Sequence, residues 1–562
     1  MVGNTKGGVP RFLPMAKARG FRAATLVMSF DALSYPYPSR RNVVFASRGM
    51  VATSHPLAAQ AGMEVLQKGG NAVDAAVAAA AALTVVEPCS NGIGGDAFAL
   101  VWSNGKLFGL NASGPSPRGL SAGKLQSAGY KAMPRYGWAP VTVPGAPAAW
   151  AELSRRYGRV PLGTSLAPAV ELAREGHPVA PTTARNWRAA AELYARELAG
   201  DQFAAWFDTF TTSGAAPGAG ALWRAPWHAA TLQAIADSGA RDFYEGDLAD
   251  RILRFAARTG GYMGREDLAE YSPEWVEPVS VRYRGYDVWE MPPNGHGLVA
   301  LIALRILQGF DFTAGPAEAD VHRQLEAMKL AFADGLKYIT DPRMMQLAPS
   351  DLLSPEYISS RRKLVGERAA EPAPGRPPGG GTVYLATADR EGNMVSYIQS
   401  NYLGFGSGLV VPETGIALHN RGNSFSLDPL SANYLLPGKK PYHTIIPGFL
   451  TRDGEAVGPF GVMGAFMQPQ GHVQVVMNLL DFHLNPQAAL DAPRWQWLEG
   501  KRVLLERQVP EHIARGLENR GHRVEVADDE GSFGRGQIIW RLSSGAYAGA
   551  TEPRTDGTVA AW

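Results

Sequence analysis

From His55 to Gly70 the chain reads HPLAAQAGMEVLQKGG, with apolar residues every three or four positions and two glycines at the end. That spacing predicts an amphipathic helix stopped by Gly69-Gly70. The next stretch, NAVDAAVAAAAALTVVEP, is apolar at almost every position. Asn71 and Asp74 can cap its start and Pro88 lies past its end, so it predicts a buried helix. Its apolar run, Ala75 to Val86, is shorter than the roughly 20 residues a membrane span needs. NGIGGDAFALVW follows, a glycine turn running into a strand. Helical spacing returns at AWAELSRRYG, LAPAVELAREG and DVHRQLEAMKLAFADGLKY. The first half therefore reads as mostly helical.

Residues 371–381, EPAPGRPPGGG, hold four prolines and four glycines and form the sharpest break in the chain. Beyond them the period changes. TVYLATAD and NMVSYIQS alternate apolar and polar residues and are joined by REG, a hairpin pattern. GIALHN, HTIIPGFLT and RVEVAD also read as strands, and GHVQVVMNLLDF as a helix. This second part predicts an α+β fold with antiparallel strands.

Composition narrows the class. The chain has 562 residues, with 54 Lys and Arg against 52 Asp and Glu. So even a balance gives no basic surface for nucleic acid. Cys89 is the only cysteine, which rules out an intrachain disulfide. Its context, Glu87-Pro88-Cys89-Ser90, names no base, so it reads as a small buried residue. No signal peptide is visible, and the expected location is the cytoplasm. Residues 1–27 show no periodicity and read as a disordered extension, with Met28 a candidate start. No His/Cys cluster with metal-ligand spacing was found, and no metal or cofactor is expected.

The glycine run before Thr382 raises a chemical question. Thr382 can simply open a strand. If the Gly381–Thr382 bond were cut, however, Thr382 would own a hydroxyl and a free α-amino group. That amine has a pKa near 8, so it can accept the hydroxyl proton and generate a nucleophile. The glycines would let the backbone reach the strained geometry that cleavage needs.

Long segments then narrow the choice. TVYLATADREGNMVSYIQSNYLGFGSGLVVPETGIALHNRGNSFSLDP strongly resembles the γ-glutamyltranspeptidase (glutathione hydrolase) family of N-terminal-nucleophile hydrolases. GMVATSHPLAAQAGMEVLQKGGNAVDAAVAAAAALTVVEPCSNGIGGDAFALVW, GKKPYHTIIPG and GVMGAFMQPQGHVQVVMNLLDF resemble other parts of it, in order, over roughly residues 45–562. The nearest subgroup is that of glutathione-hydrolase-like and oxamate-amidohydrolase-like proteins. The resemblance implies a four-layer αββα sandwich and an inactive precursor that cuts itself between Gly381 and Thr382. Residues 28–381 would then form the large subunit and 382–562 the small one, open to further homo-oligomerisation. It also implies Thr382 as nucleophile, Ser400 as its orienting hydroxyl, and Gly464-Ala465 as the oxyanion hole. The implied partners are a small-molecule amide, glutathione or an acidic amide such as oxamate or a glutaryl side chain, and a water or amine acceptor. The competing expectation is a family member without turnover.

The substrate positions depart from the family pattern. Ser113 stands where γ-glutamyl enzymes place an Arg, and Pro115 where the subgroup usually has one. His443-Thr444 replaces a Ser pair, and Arg421 and Ser424 replace a Gln and an Asp. Val383-Tyr384 replaces the usual Thr-His after the nucleophile. The expected pocket is therefore Ser113, Arg421, Asn423, Ser424, His443 and Thr444. It lacks an acidic partner for a substrate ammonium group; Arg421 and His443 can bind a carboxylate, or Arg421 can instead form a structural ion pair.

Overall fold

The computed structural model describes residues 41–312, 317–372 and 381–562. The 1–27 extension, the candidate start at Met28 and most of the Pro/Gly break lie outside them.

The chain runs β1 (Val44–Ala46), β2 (Gly49–Thr53), α1 (Pro56–Gln67), α2 (Ala72–Val86), β3 (Asp96–Ser103), β4 (Lys106–Ala112), α3 (Ala146–Tyr157) and α4 (Leu162–Glu175). Then come β5 (Glu274–Val276), β6 (Val279–Tyr283), β7 (Tyr286–Glu290), α5 (Gly297–Leu307) and α6 (Glu318–Tyr338). After the break follow β8 (Gly381–Asp389), β9 (Met394–Tyr402), β10 (Gly448–Arg452), β11 (Glu455–Met463) and α7 (Met467–Leu480). The chain closes with β12 (Arg535–Arg541), β13 (Tyr547–Thr551) and β14 (Thr558–Ala561). Shorter elements connect these.

Two seven-stranded sheets result, in the orders β1-β13-β12-β11-β10-β7-β6 and β14-β2-β8-β9-β3-β4-β5. Their strand pairs are antiparallel. Helices α1 to α4 pack on the outer face of the second sheet, and α5 to α7 on the outer face of the first. A third cluster, including Phe98, Leu100, Tyr384, Ile398, Phe449 and Met463, fills the space between the sheets. The chain is thus an α+β four-layer αββα sandwich.

The period-2 pattern explains the layers. On β3, Phe98 and Leu100 face the other sheet, while Ala97, Ala99 and Val101 face the helices. On β8, Tyr384, Ala386 and Ala388 face inward, and Val383 and Leu385 outward. Helix α2 is capped as expected: the Asn71 side chain accepts from Val73 and Asp74 N–H, and Asp74 returns a bond to Asn71 N–H. β8 pairs on one side with β2 and on the other with β9, so the stretches before and after Thr382 share one sheet.

Two expected strands are shorter than their alternation suggests. GIALHN yields only Ile416–Ala417, paired to Val410–Val411. HTIIPGFLT becomes strand only from Gly448; His443 and Thr444 turn instead into a polar cluster described below.

The sheets approach closely at Gly461 on β11. A Cβ there would sit 2.5 Å from the Tyr384 ring. Gly461→Ala should therefore force the sheets apart and cost about 1–3 kcal/mol, read as a lowered thermal midpoint. An unchanged midpoint would show that the Tyr384 ring can move aside freely.

Candidate active site

Thr382 stands at the start of β8, on the face turned toward the other sheet, and is 1% exposed. Its Oγ1 lies 3.1 Å from Ser400 Oγ near the end of β9. The β8–β9 register slips between Gly381 and Val383, so Thr382 sits at an irregularity in the ladder. Tyr402 N–H donates to Ser400 Oγ at 2.7 Å. Tyr402 itself holds φ +73, in the left-handed region that bulky residues avoid.

β11 brings the first sheet to this pair. Gly458 on β11 packs on Met394, whose register partner is Ala388, and Gly461 packs on Tyr384. Running on, the strand carries Gly464 and Ala465 toward the Thr382 end of β8. Gly464 has φ +136 and Ala465 φ +51, a turn between β11 and α7. Neither N–H of this pair has an acceptor among the described residues. An alanine in the left-handed region carries strain of about 1–2 kcal/mol.

The turn is held from behind. A Cβ on Gly464 would stand 3.1 Å from Gly534 Cα. Arg494, fully buried, donates to the carbonyls of Phe533 and Gly534 and to Glu552. Glu552 also binds Arg554, which is paired with Glu506.

On the other flank is a group no local pattern announced. Asp96, directly opposite Ser400 in the β3–β9 register, accepts from Arg421 Nε at 2.8 Å and Nη2 at 3.1 Å. His443 Nε2 donates to it at 2.7 Å, and Arg421 Nη1 donates to Thr444 Oγ1 at 2.7 Å. The guanidinium also lies over the Tyr402 ring, 4.5 Å from its centre. All four polar side chains are fully buried. Burial alone would raise the Asp96 carboxyl, but Arg421 and His443 beside it hold it well below the usual carboxylate range. Burial, with Arg421 adding to it, pushes His443 down to about 4, so at neutral pH it is uncharged.

Of the two readings of Arg421, the geometry shows the ion pair. Arg421 has an acidic partner, Asp96, and its fork is engaged by that carboxylate instead of standing open for a substrate. The other expected pocket residues are also engaged by the chain. Asn423 donates to Met133 O and Pro134 O, and Ser424 to Arg421 O and Tyr442 O. Ser113 donates to Asn111, which is joined to Asn294, and Asn294 O accepts His443 N–H. Asn401 is the opposite case: both amide atoms are buried without partners among the described residues, between Gly92 and Gly95.

Ligand-type side chains do meet elsewhere, although their spacing escaped the sequence reading. His322, Glu326 and His522 place ligand atoms within 4.8 Å of one another. Lys329 Nζ, 2.7 Å from Glu326, already supplies the positive partner there. Cys89 is buried, and burial beside Glu87 raises its thiol to about 12, far from a reactive thiolate. No helix among the described residues is long and apolar enough to cross a membrane.

Known proteins resemble this chain over most of its length. The family model for gamma-glutamyltranspeptidase matches residues 58–562. The glutathione hydrolase-like YwrD proenzyme of Bacillus subtilis is 37% identical, over 92% of this chain and 99% of its own. The oxamate amidohydrolase proenzyme of Klebsiella pneumoniae is 34% identical over the same shares. The crystal structure of cephalosporin acylase from Bacillus halodurans superposes with a TM-score of 0.93 at 60% identity, covering 95% of this chain and 99% of that one.

Proposed function

The chain belongs to the γ-glutamyltranspeptidase family of self-cleaving amidohydrolases, and on that footing we propose that Thr382 is its nucleophile and its acyl donors lack an α-ammonium group. The observation that carries the first half is the 3.1 Å contact between Thr382 Oγ1 and Ser400 Oγ. In the precursor, the Thr382 oxygen attacks the Gly381 carbonyl and takes over its acyl group as an ester. Water releases that ester, leaving residues 1–381 and 382–562. The new α-amine then serves as base. Thr382 attacks the amide of a small donor, the leaving amine takes the proton, and water or an amine discharges the acyl-enzyme. The N–H groups of Gly464 and Ala465 face the developing oxyanion, an arrangement worth a few kcal/mol.

The second half rests on Asp96. Its oxygens already accept three hydrogen bonds, from Arg421 and His443. No unengaged carboxylate remains at the positions where γ-glutamyl enzymes hold the substrate ammonium, and a buried ammonium without acceptors is costly. The relative named for oxamate fits this reading, since oxamate is an amide with a carboxylate and no ammonium group. On the processed enzyme, glutaryl-p-nitroanilide should exceed γ-glutamyl-p-nitroanilide in kcat/KM by about 30-fold. A tenfold preference for the γ-glutamyl compound would overturn this and make glutathione the natural donor.

A further inference from the structure

With Arg421 engaged, one guanidinium near the site makes no hydrogen bond among the described residues. Arg535 opens β12, and its register partner is Met463, the last residue of β11 before the Gly464-Ala465 turn. Met463 faces the space between the sheets, and directly opposite residues share a face, so Arg535 points into the same space. Gly534, its neighbour, is the residue that touches the Gly464 turn.

The acid closest to Arg535 links it to the strand that carries Thr382. Glu87 Oε1 lies 3.8 Å from Arg535 Nη1, at the outer limit of an ion pair. Glu87 Oε2 is held by Ser54 Oγ at 2.5 Å. Ser54 follows Thr53, whose hydroxyl donates to Tyr384 O, two residues from Thr382 on β8. Glu87 and Ser54 thus flank the start of β8 on its β2 side, while Asp96 lies on the β9–β3 side. The three other site arginines contrast with this one. Arg421, Arg494 and Arg554 each make several hydrogen bonds and are at most 8% exposed. The Arg535 side chain is 11% exposed and makes no hydrogen bond among the described residues. A guanidinium at that distance from its counter-ion keeps its fork of N–H donors for another carboxylate.

We infer that Arg535 binds a carboxylate at the far end of the acyl donor, with Glu87 as the resident counter-ion that the substrate displaces. This rests on Thr382 being the nucleophile, and it names the donor class: short dicarboxylic monoamides. Burial raises the Glu87 carboxyl above its ordinary range even though Arg535 and the hydrogen bonds from Ser54 and Ser90 oppose it, which eases that displacement.

Three donors of nearly equal length test this on the processed wild type: glutaryl-, butyryl- and 4-aminobutyryl-p-nitroanilide. The expected order of kcat/KM is glutaryl, then butyryl, then 4-aminobutyryl. In Arg535→Met the glutaryl-to-butyryl ratio should fall about 10- to 100-fold, mainly through KM, because a charged hydrogen-bond partner has gone. Arg535→Lys should recover part of the ratio, and Arg535→Glu should favour 4-aminobutyryl over glutaryl. An equal loss on glutaryl and butyryl donors would mean that Arg535 only supports the Gly464 turn. A wild type with no glutaryl preference over butyryl would overturn the inference even if the Arg535 variants fail to fold. Failure of the lower premise shows separately, as amide hydrolysis that survives Thr382→Ala.

Discussion

Thr382→Ala will remain one chain of 60.2 kDa and lose amide hydrolysis by at least about a thousandfold, the scale seen when a covalent nucleophile is removed. The wild type will run as two fragments, with a new N-terminus at Thr382. Both outcomes follow from a single side chain, because in the proposed mechanism one hydroxyl attacks first the Gly381 carbonyl and then the donor amide. Thr382→Ser keeps hydroxyl and amine and should cleave itself, more slowly, since the stiff β-branched rotamer is gone. Ser400→Ala removes the group 3.1 Å from the hydroxyl and should slow cleavage without preventing it. Intact mass and a denaturing gel read all four proteins. A wild type that stays unbroken yet hydrolyses amides would refute the mechanism.

The layers of the fold were legible because each obeys a local period. The helical spacing at 55–70 and the alternation at 382–400 appear as α1, β8 and β9. Asn71 and Asp74 cap α2 as their positions suggest. Where alternation misled, as at His443–Pro447, the residues leave the strand pattern to meet a partner far away in sequence. The chemistry was legible in the same measure. Thr382 and Ser400 are joined by one hairpin, and the hairpin pattern brings them together. Asp96 and Arg421 are 325 positions apart, and no periodicity links them. Nothing in the residues around Arg421 names Asp96, so the ion pair stayed one of two readings of that cation. Arg535 escaped for a similar reason: its place beside the Gly464 turn is set by the β11–β12 register alone.

Asp96→Ala should cost about 3–5 kcal/mol of stability, because it leaves the Arg421 guanidinium buried without a counter-charge. The pair need not be a large net stabiliser for this to hold. Taking both ions from water costs several kcal/mol each, and their attraction offsets that cost only while both are present. The double variant Asp96→Leu with Arg421→Met should therefore regain most of the stability that Asp96→Ala loses. Denaturant midpoints measure this directly. The pH dependence has a fixed sign. The folded pKa of Asp96 is depressed, so its contribution is present above the ordinary carboxylate value near 3.9 and is lost as pH falls below it. His443 is also depressed, to about 4, so its neutral form is favoured in the fold, and that contribution fades as pH drops from about 6.5 through 4. The gap between wild type and Asp96→Ala should thus stay level from pH 8 to 5 and narrow below pH 4. A gap that widens on acidification, or a double variant as unstable as Asp96→Ala, would mean that Arg421 does not depend on Asp96 for its charge balance. The γ-glutamyl head-group positions would then be open again, and the preference for donors without an ammonium group would lose its structural ground.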